Sequence, residues 1–387
     1  MPVPPTSGSD RFALKLKLFY AAYFLYGGIQ LPFFPLWLEA RGLDARMIGL
    51  VIAVPMLVRV FVNPIAGHLA DRYAGLKTAL VIASAWGALA MTMAGLADGG
   101  IAILVWVAIS ALAFSPVLSL SDAYALNGLG ARGRAYGPVR LWGSVAFIAG
   151  NVGAGVLLGA IAPDKLIWLI VAALVATVIA ATALESLGSV RPVRSDATPS
   201  PSVLWRNPAF LAVAAAASLT QSSHALYYGF SVLDWRAAGL DGTTIGLLWG
   251  LGVLAEIALF ALSPRLPPVF GTTVLLAVGA IGALVRWTAM AFEPSVGWLT
   301  ALQVLHALSF GAAHLGAMAF LARAVPKELS GTAQGLLATV SGIVMASATG
   351  LSGLLYAASG SLAYLAMAAM ALAGLACALW AHRLSRI

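Results

Sequence analysis

The sequence predicts an all-α membrane protein of twelve transmembrane helices arranged as two pseudo-symmetric six-helix bundles. Three observations carry this. Of 387 residues, 61% are apolar and 9% are Asp, Glu, Lys or Arg, against roughly 45–50% and about 25% in soluble globular chains. Apolar runs long enough to cross a ~30 Å hydrocarbon core recur along the chain. The two halves of the chain also echo each other. So few charges cannot solvate a surface of this size, which excludes a soluble enzyme, a nucleic-acid binder and a disordered chain.

The elements follow in order. Residues 1–12 read as a cytoplasmic tail carrying Arg11. The next run, 13–38, is too long for a signal-peptide core and reads as a retained first helix. Runs at 47–68, 76–97, 101–125, 138–162 and 165–184 complete a first bundle over 13–184. Residues 185–207, polar and with three prolines, read as a cytoplasmic linker. Runs at 208–235, 243–263, 271–292, 297–322, 332–358 and 361–381 make a second bundle over 208–382, and 383–387 is a short tail. Setting aside Arg59, Arg140 and Arg286, the termini, linker and alternate loops hold fifteen Lys and Arg residues and the opposite loops four. Both termini are therefore expected on the cytoplasmic side. The single Cys377 allows no intrachain disulfide.

G-L-D-A-R-M-I-G-L (42–50) matches G-L-D-G-T-T-I-G-L (239–247) at an offset of 197, and A-L-A-F (111–114) matches A-L-S-F (307–310) at 196. Near-equal offsets point to a parallel duplication, a design that places a binding site at the midplane between halves.

A charge at the bilayer centre costs about 2.5–3.5 kcal/mol on insertion scales, so intramembrane charges are informative. Arg59 and Glu256 lie ~18–20 Å into their helices and are themselves 197 apart. They read either as a static pair or as a proton-linked switch. Glu256 is the stronger functional candidate, because a lone carboxylate in low dielectric can carry a proton. Arg286, in mid-helix, offers a bidentate fork suited to a carboxylate, either Glu256 or a substrate.

Gln221, His224 and Tyr228 share a helical face, with Tyr227 beside them. Gln303, His306, Ser309 and His314 follow one another along a later helix. They read as a hydrated interior or as helix–helix hydrogen bonds. No metal-ligand spacing accompanies them, and no cofactor or metal is expected. Ser115, Ser119 and Asp122 form one stripe of the fourth helix, which Pro116 could kink. Arg140 and Phe147, seven apart, share a face. Asp122 and Arg140 read equally as an interfacial pair or as a site. The embedded charges sum to +1 with His neutral, which favours an anionic substrate. In G-H-L-A-D-R-Y-A-G-L-K (67–77), Gly67 permits close helix approach, and Asp71, next to Arg72, can cap the following helix or latch a gate. No Walker lysine motif or Ser/His/Asp nucleophile motif appears, so no enzyme is expected.

The segment G-x-x-x-D-R-x-x-G-x-K resembles the loop signature of the major facilitator superfamily, with one extra residue before the second Gly. Its counterpart, S-P-R-L-P-P-V-F-G, lacks the Asp. More narrowly, Y-F-L-Y-G-G-I-Q-L-P-F-F-P-L-W-L, V-R-L-W-G-S-V-A-F, H-A-L-Y-Y-G-F-S-V, L-W-G-L-G-V-L-A-E-I, A-L-V-R-W and Q-V-L-H-A-L-S-F-G-A-A-H-L resemble the 3-phenylpropionic acid permease group, which is similar to lactose permease-type proton symporters. The resemblance implies the major facilitator fold and proton-coupled import of a small organic, aromatic acid. It implies a direct Asp122–Arg140 pair, substrate contacts from these two and Phe147, and proton coupling through Glu256, Arg286 and His306. From the residues themselves, His224, Tyr228 and Arg286 are further expected substrate contacts, His314 a further coupling residue, and Gly67, Asp71, Arg72 and Arg59 the expected gating residues. The helix-10 carboxylate of the lactose permease type falls at Ser309, so coupling cannot take that route here.

The expected partners are a small organic anion, protons and the lipid of an inner membrane. The protein is expected to act as a monomer without nucleic acid. A sugar or nucleoside symporter is the alternative within transport. A membrane sensor that no longer transports is the alternative from another class.

Overall fold

The protein is described by a computed structural model over residues 7–69, 75–187, 202–267, 269–326 and 329–384. The described residues are helical without strands. The first six segments are α1 (Ser7–Ala40), α2 (Ala45–Leu69), α3 (Gly75–Leu96), α4 (Gly100–Phe114 and Val117–Gly130), α5 (Gly137–Leu157) and α6 (Leu166–Ala183). The second six are α7 (Pro208–Ser222 and Ala225–Ala237), α8 (Gly242–Leu262), α9 (Thr272–Met290), α10 (Val296–Val304, Ala307–Ala312 and Ala313–Ala324), α11 (Ser330–Ser359) and α12 (Tyr364–Leu384). Among the described residues, nine stretches are long and apolar enough to cross a membrane. The last of them, Ser330–Leu384, contains both α11 and α12. Tyrosines, Gln30, Pro32 and Pro35 dilute the hydropathy of α1, and α7 is divided into two shorter pieces.

The chain forms two compact units. One comprises the described parts of Met1–Leu43, Leu57–Pro192 and Gly239–Leu247; the other, those of Asp44–Met56, Val193–Ala238 and Leu248–Ile387. In the first, α1 packs on α5 and α6, and α3 on α4 and α6. In the second, α7 packs on α11 and α12, and α9 on α10 and α12. Each of these pairings repeats with six added to both helix numbers, which is how the sequence duplication appears in three dimensions.

The two copies of the G-L-D repeat do the same local work. Gly42 and Gly239 adopt left-handed φ angles of 80° and 89°, a conformation that a Cβ disfavours. The next polar residue then caps a helix. Asp44 Oδ1 accepts from the Met47 N–H at 2.8 Å, and Asp241 Oδ1 from the Thr244 N–H at 3.0 Å. The Thr244 backbone N–H, and after it the Thr244 hydroxyl, hold the Asp241 carboxyl below the usual carboxylate range. The last Gly of each copy, Gly49 and Gly246, allows close approach. A Cβ on Gly49 would lie 2.9 Å from Gly353 Cα in one unit, and one on Gly246 would overlap the Asn151 carbonyl in the other.

The cap is testable. Asp44→Ala is expected to lower unfolding free energy by about 1 kcal/mol, and Asp44→Asn by much less. Thermal unfolding of the detergent-solubilised protein checks this. Equal losses from both substitutions would show that the cap is not what Asp44 contributes.

Candidate functional site

In the second unit, α9 projects Arg286 into a space closed by α7 and α10, where its side chain is fully buried. Nη2 donates to Gln303 Oε1 at 2.6 Å and Nη1 to His306 Nδ1 at 3.0 Å, with a longer contact to Ser309 Oγ at 3.5 Å. The guanidinium carbon stands 4.5 Å from the Tyr227 ring centre and 4.7 Å from that of Trp287, cation–π distances that offset part of the lost hydration. Among the described residues Arg286 has no ion pair, and its Nε has no hydrogen-bond partner. A buried cation is thus held entirely by neutral groups.

The donors fix the tautomers around it. Since Arg286 donates to His306 Nδ1, that nitrogen is a bare lone pair and the ring proton is on Nε2. Nε2 lies 3.5 Å from Glu256 Oε2. His224 Nδ1 donates to the Gln221 carbonyl at 3.0 Å, so its Nε2 accepts from the Ser309 hydroxyl at 3.1 Å. Tyr227 donates its hydroxyl to Gln303 Oε1 at 3.0 Å, and Trp287 Nε1 donates to Ser223 Oγ at 2.8 Å.

Two helix irregularities meet here. The helix α7 is interrupted at Ser223–His224, and α10 widens into a π-helical turn at Ala307–Ala312. Gln221 Nε2 joins them by donating to the Phe310 carbonyl at 3.2 Å. π-Turns cluster at functional sites because they present side chains that a regular helix would aim elsewhere.

The first unit holds a separate polar cluster. α4 breaks at Ser115–Pro116, where proline removes a backbone donor, and Asp122 follows in its second piece. Asp122 Oδ1 accepts from the Tyr20 hydroxyl at 2.7 Å and from that of Tyr136 at 2.8 Å. Burial first, and then the Asp122 bond, push the Tyr136 hydroxyl up from its ordinary value, so it remains a donor. The family resemblance implies a direct Asp122–Arg140 pair; the structure shows none. Arg140 instead covers the faces of Phe24 at 3.9 Å and Tyr20 at 5.5 Å. The two tyrosines meet the carboxylate's demand for donors, and the arginine turns to aromatic faces. Phe147 lies further along α5, its ring 3.6 Å from where a Cβ on Gly27 would stand.

The remaining expected residues fall as follows. The Glu256 side chain is 19% exposed and lies within Coulombic reach of His314, which is exposed beside the Phe260 and Phe310 rings. Tyr228 stacks on His224 with ring centres 5.6 Å apart. Arg59 is exposed on α2, within Coulombic reach of Tyr23 and Tyr26. Gly67 lies near the end of α2, and Asp71 and Arg72 lie outside the described residues. Arg286, His306, Glu256, His224 and Tyr228 are thus brought together in one unit, and Asp122 is near the Arg140 aromatic cluster in the other. Tyr20 and Tyr136 are not marked in the sequence by spacing or charge, since tyrosine is an ordinary membrane residue, and the polar face that carries Gln303 does not reveal Arg286 as its partner. Among the described residues no group of three or more His, Cys, Asp or Glu side chains could hold a metal ion.

Apolar helices, duplicated packing and buried polar clusters define a multi-pass membrane transporter of the major facilitator type. The chain belongs to the MFS_1 like family, whose model matches residues 13–366. It is 33% identical over 362 residues to the "Probable 3-phenylpropionic acid transporter" of Escherichia coli (strain K12), covering 92% of this chain and 94% of that one. It is 27% identical to the "Maltose permease" of Geobacillus stearothermophilus, covering 84% and 82%. The solved nucleoside transporter NupG superposes with a TM-score of 0.79 at 16% identity, covering 97% of this chain and 99% of that one, which shows the shared fold.

The Asp122 cluster yields a stability test. Tyr20→Phe is expected to cost about 1.5–3 kcal/mol, as for a hydrogen bond to a charged group. Combining it with Asp122→Asn should cost less than the sum of the single changes. Strict additivity in thermal unfolding would mean that the two side chains do not cooperate.

Proposed function

We propose that the protein is a proton-coupled symporter that imports a small aromatic carboxylic acid, of the 3-phenylpropionate kind, across the cell (inner) membrane by alternating access. It acts as a monomer with both termini cytoplasmic. The observation that carries the reading is Arg286: a fully buried guanidinium with no carboxylate partner among the described residues. The name of the 33%-identical relative supports the substrate class.

Charge counting supplies the coupling rule. With the site empty, Arg286 (+1) and an ionised Glu256 (−1) sum to zero, linked through His306 at 3.0 and 3.5 Å. Adding the acid's anion alone leaves −1, and adding a proton alone leaves +1. Either imbalance carries the penalty of moving net charge through low dielectric. Anion and proton together restore zero. One proton therefore accompanies each monocarboxylate, with Glu256 as carrier and His306 as the neutral bridge. His314 tunes the carboxylate, and His224 and Tyr228 flank the acid. Arg140, Asp122 and Phe147 are the proposed substrate contacts within the first unit. Gly67, Asp71, Arg72 and Arg59 serve closure.

The test is uptake of labelled 3-phenylpropionate into proteoliposomes with an imposed pH gradient. Accumulation should follow the gradient. Glu256→Gln should abolish gradient-driven accumulation by about tenfold or more while retaining substrate exchange, because it fixes the carrier in its neutral state. Gradient-independent uptake by the native chain would reject symport. Saturable uptake of neutral sugars that excludes aromatic acids would favour the second reading, a sugar symporter, which the similarity to a maltose permease supports.

A further inference from the structure

We infer that Gln303 is a built-in stand-in for the ligand's carboxylate: its Oε1 fills an anion seat made by Arg286 and the Tyr227 hydroxyl, and an incoming carboxylate displaces it. This rests on the reading of the chain as an organic-acid transporter and names the atoms that receive the acid.

Gln303 Oε1 accepts two hydrogen bonds, 2.6 Å from Arg286 Nη2 and 3.0 Å from the Tyr227 hydroxyl. A cationic fork and a phenol converging on one oxygen is the donor set of a carboxylate receptor. The amide orientation is forced, because turning Nε2 toward Arg286 would oppose two donors.

The amide fills this seat incompletely. Gln303 Nε2 and Arg286 Nε are both buried without partners, and a neutral amide leaves the arginine without a counter-charge. A carboxylate supplies the charge and a second oxygen for the unused Nε. The fit extends to size and surroundings. The glutamine side chain is two methylenes ending in an acyl group, the length of the acid arm of a 3-substituted propanoate. The seat is walled by Tyr227, Trp287 and Trp249. Trp249 is stacked on Tyr227 with ring centres 4.5 Å apart, and its buried Nε1 has no partner. Aromatic walls beside a carboxylate seat fit an arylalkanoate.

Arg286 and Gln303 are fully buried in this conformation, so the exchange accompanies opening of the cluster during transport. The internal amide keeps the guanidinium from standing bare when no substrate is present. It also sets a threshold that a ligand lacking a carboxylate does not cross. Removing an internal competitor raises the fraction of protein competent to bind and lowers the apparent Kd accordingly.

The experiment is calorimetric titration of the purified full-length protein with 3-phenylpropionate and, separately, with the neutral 3-phenylpropionamide. Gln303→Ala and the volume-conserving Gln303→Met should bind the acid about threefold or more tighter than the native chain, with no gain for the amide. Gln303→Glu, which installs a permanent internal carboxylate, should weaken acid binding about tenfold or more. Thermal unfolding of each variant confirms folding, and Gln303→Met serves if Gln303→Ala does not fold. If the native chain binds the acid but both Gln303→Ala and Gln303→Met bind it equally or more weakly, the stand-in is overturned and the transport reading survives. If neither the native chain nor the variants bind the acid, the reading of the chain as an acid transporter fails, and the stand-in with it.

Discussion

A guanidinium that cannot be hydrated organises the second unit. Arg286 is fully buried, and burying an uncompensated charge is among the most costly things a fold can do. The surroundings answer it piece by piece. Gln303 and His306 accept from its two terminal nitrogens, and two aromatic faces cover its plane. Each acceptor is held in turn: Gln303 by Tyr227, Ser309 by its bond to His224, and His224 by the Gln221 carbonyl. The break in α7 and the π-turn in α10 occur where these groups must converge, and Gln221 ties one irregularity to the other. Regular helices would satisfy their own backbones and leave the arginine worse served.

The two units share a frame and differ in chemistry. Helix pairings repeat with a shift of six, and the same Gly-Leu-Asp turn opens α2 and α8. The charges do not repeat. Arg59 and Glu256 occupy equivalent positions, yet Arg59 is exposed near tyrosines and Glu256 is shielded beside His306. A carboxylate in the first unit is bonded by two tyrosines, and an arginine in the second has no carboxylate partner among the described residues. Caps and close glycine contacts are constraints of geometry, which each copy must meet to fold. Ionisable groups are constraints of function, and these have been free to diverge between the copies.

That contrast explains what could be read from the chain beforehand. Apolar runs locate each helix closely, since hydrophobic length is a one-dimensional property and bilayer thickness sets its scale. The repeat at 42–50 and 239–247 reveals the pairing symmetry, because both copies keep the residues that turn and cap. Arg286, His306 and Glu256 are conspicuous because membranes exclude such residues unless they are needed. Partner identity is another matter. A direct Asp122–Arg140 pair follows from the family resemblance, but Tyr20, about a hundred residues away in sequence, takes the carboxylate instead. Nothing local marks Tyr20 or Tyr136 as donors. Likewise Gln303 shares a polar helix face with His306, but only the crossing of α9 over α10 shows that its oxygen accepts from Arg286 Nη2. Which side chains meet across helices depends on the rotation of each helix about its axis, and hydropathy encodes that weakly in segments apolar on every side.

On the proposed mechanism, the series from Arg286 through His306 to Glu256 also links proton and anion more tightly than charge counting alone. His306 accepts at Nδ1 from Arg286 and has its Nε2 3.5 Å from Glu256 Oε2, so the charge on the carboxylate acts through the imidazole on the Arg286 bond. An ionised Glu256 draws the Nε2 proton and makes Nδ1 a better acceptor, which binds Arg286 more firmly to the imidazole. Protonating Glu256 then removes that pull and loosens the Nη1 bond, which frees the guanidinium to shift as its Nη2 and Nε take an external carboxylate. The proton then does more than balance the anion's charge, because it releases a bond that competes for the same guanidinium. A carboxylate in direct contact with Arg286 could not act this way: it would hold the cation as a closed ion pair, and the substrate would have to break that pair unaided. Setting a neutral histidine between the two charges keeps the acid and the base of the site in communication while leaving the arginine open to exchange.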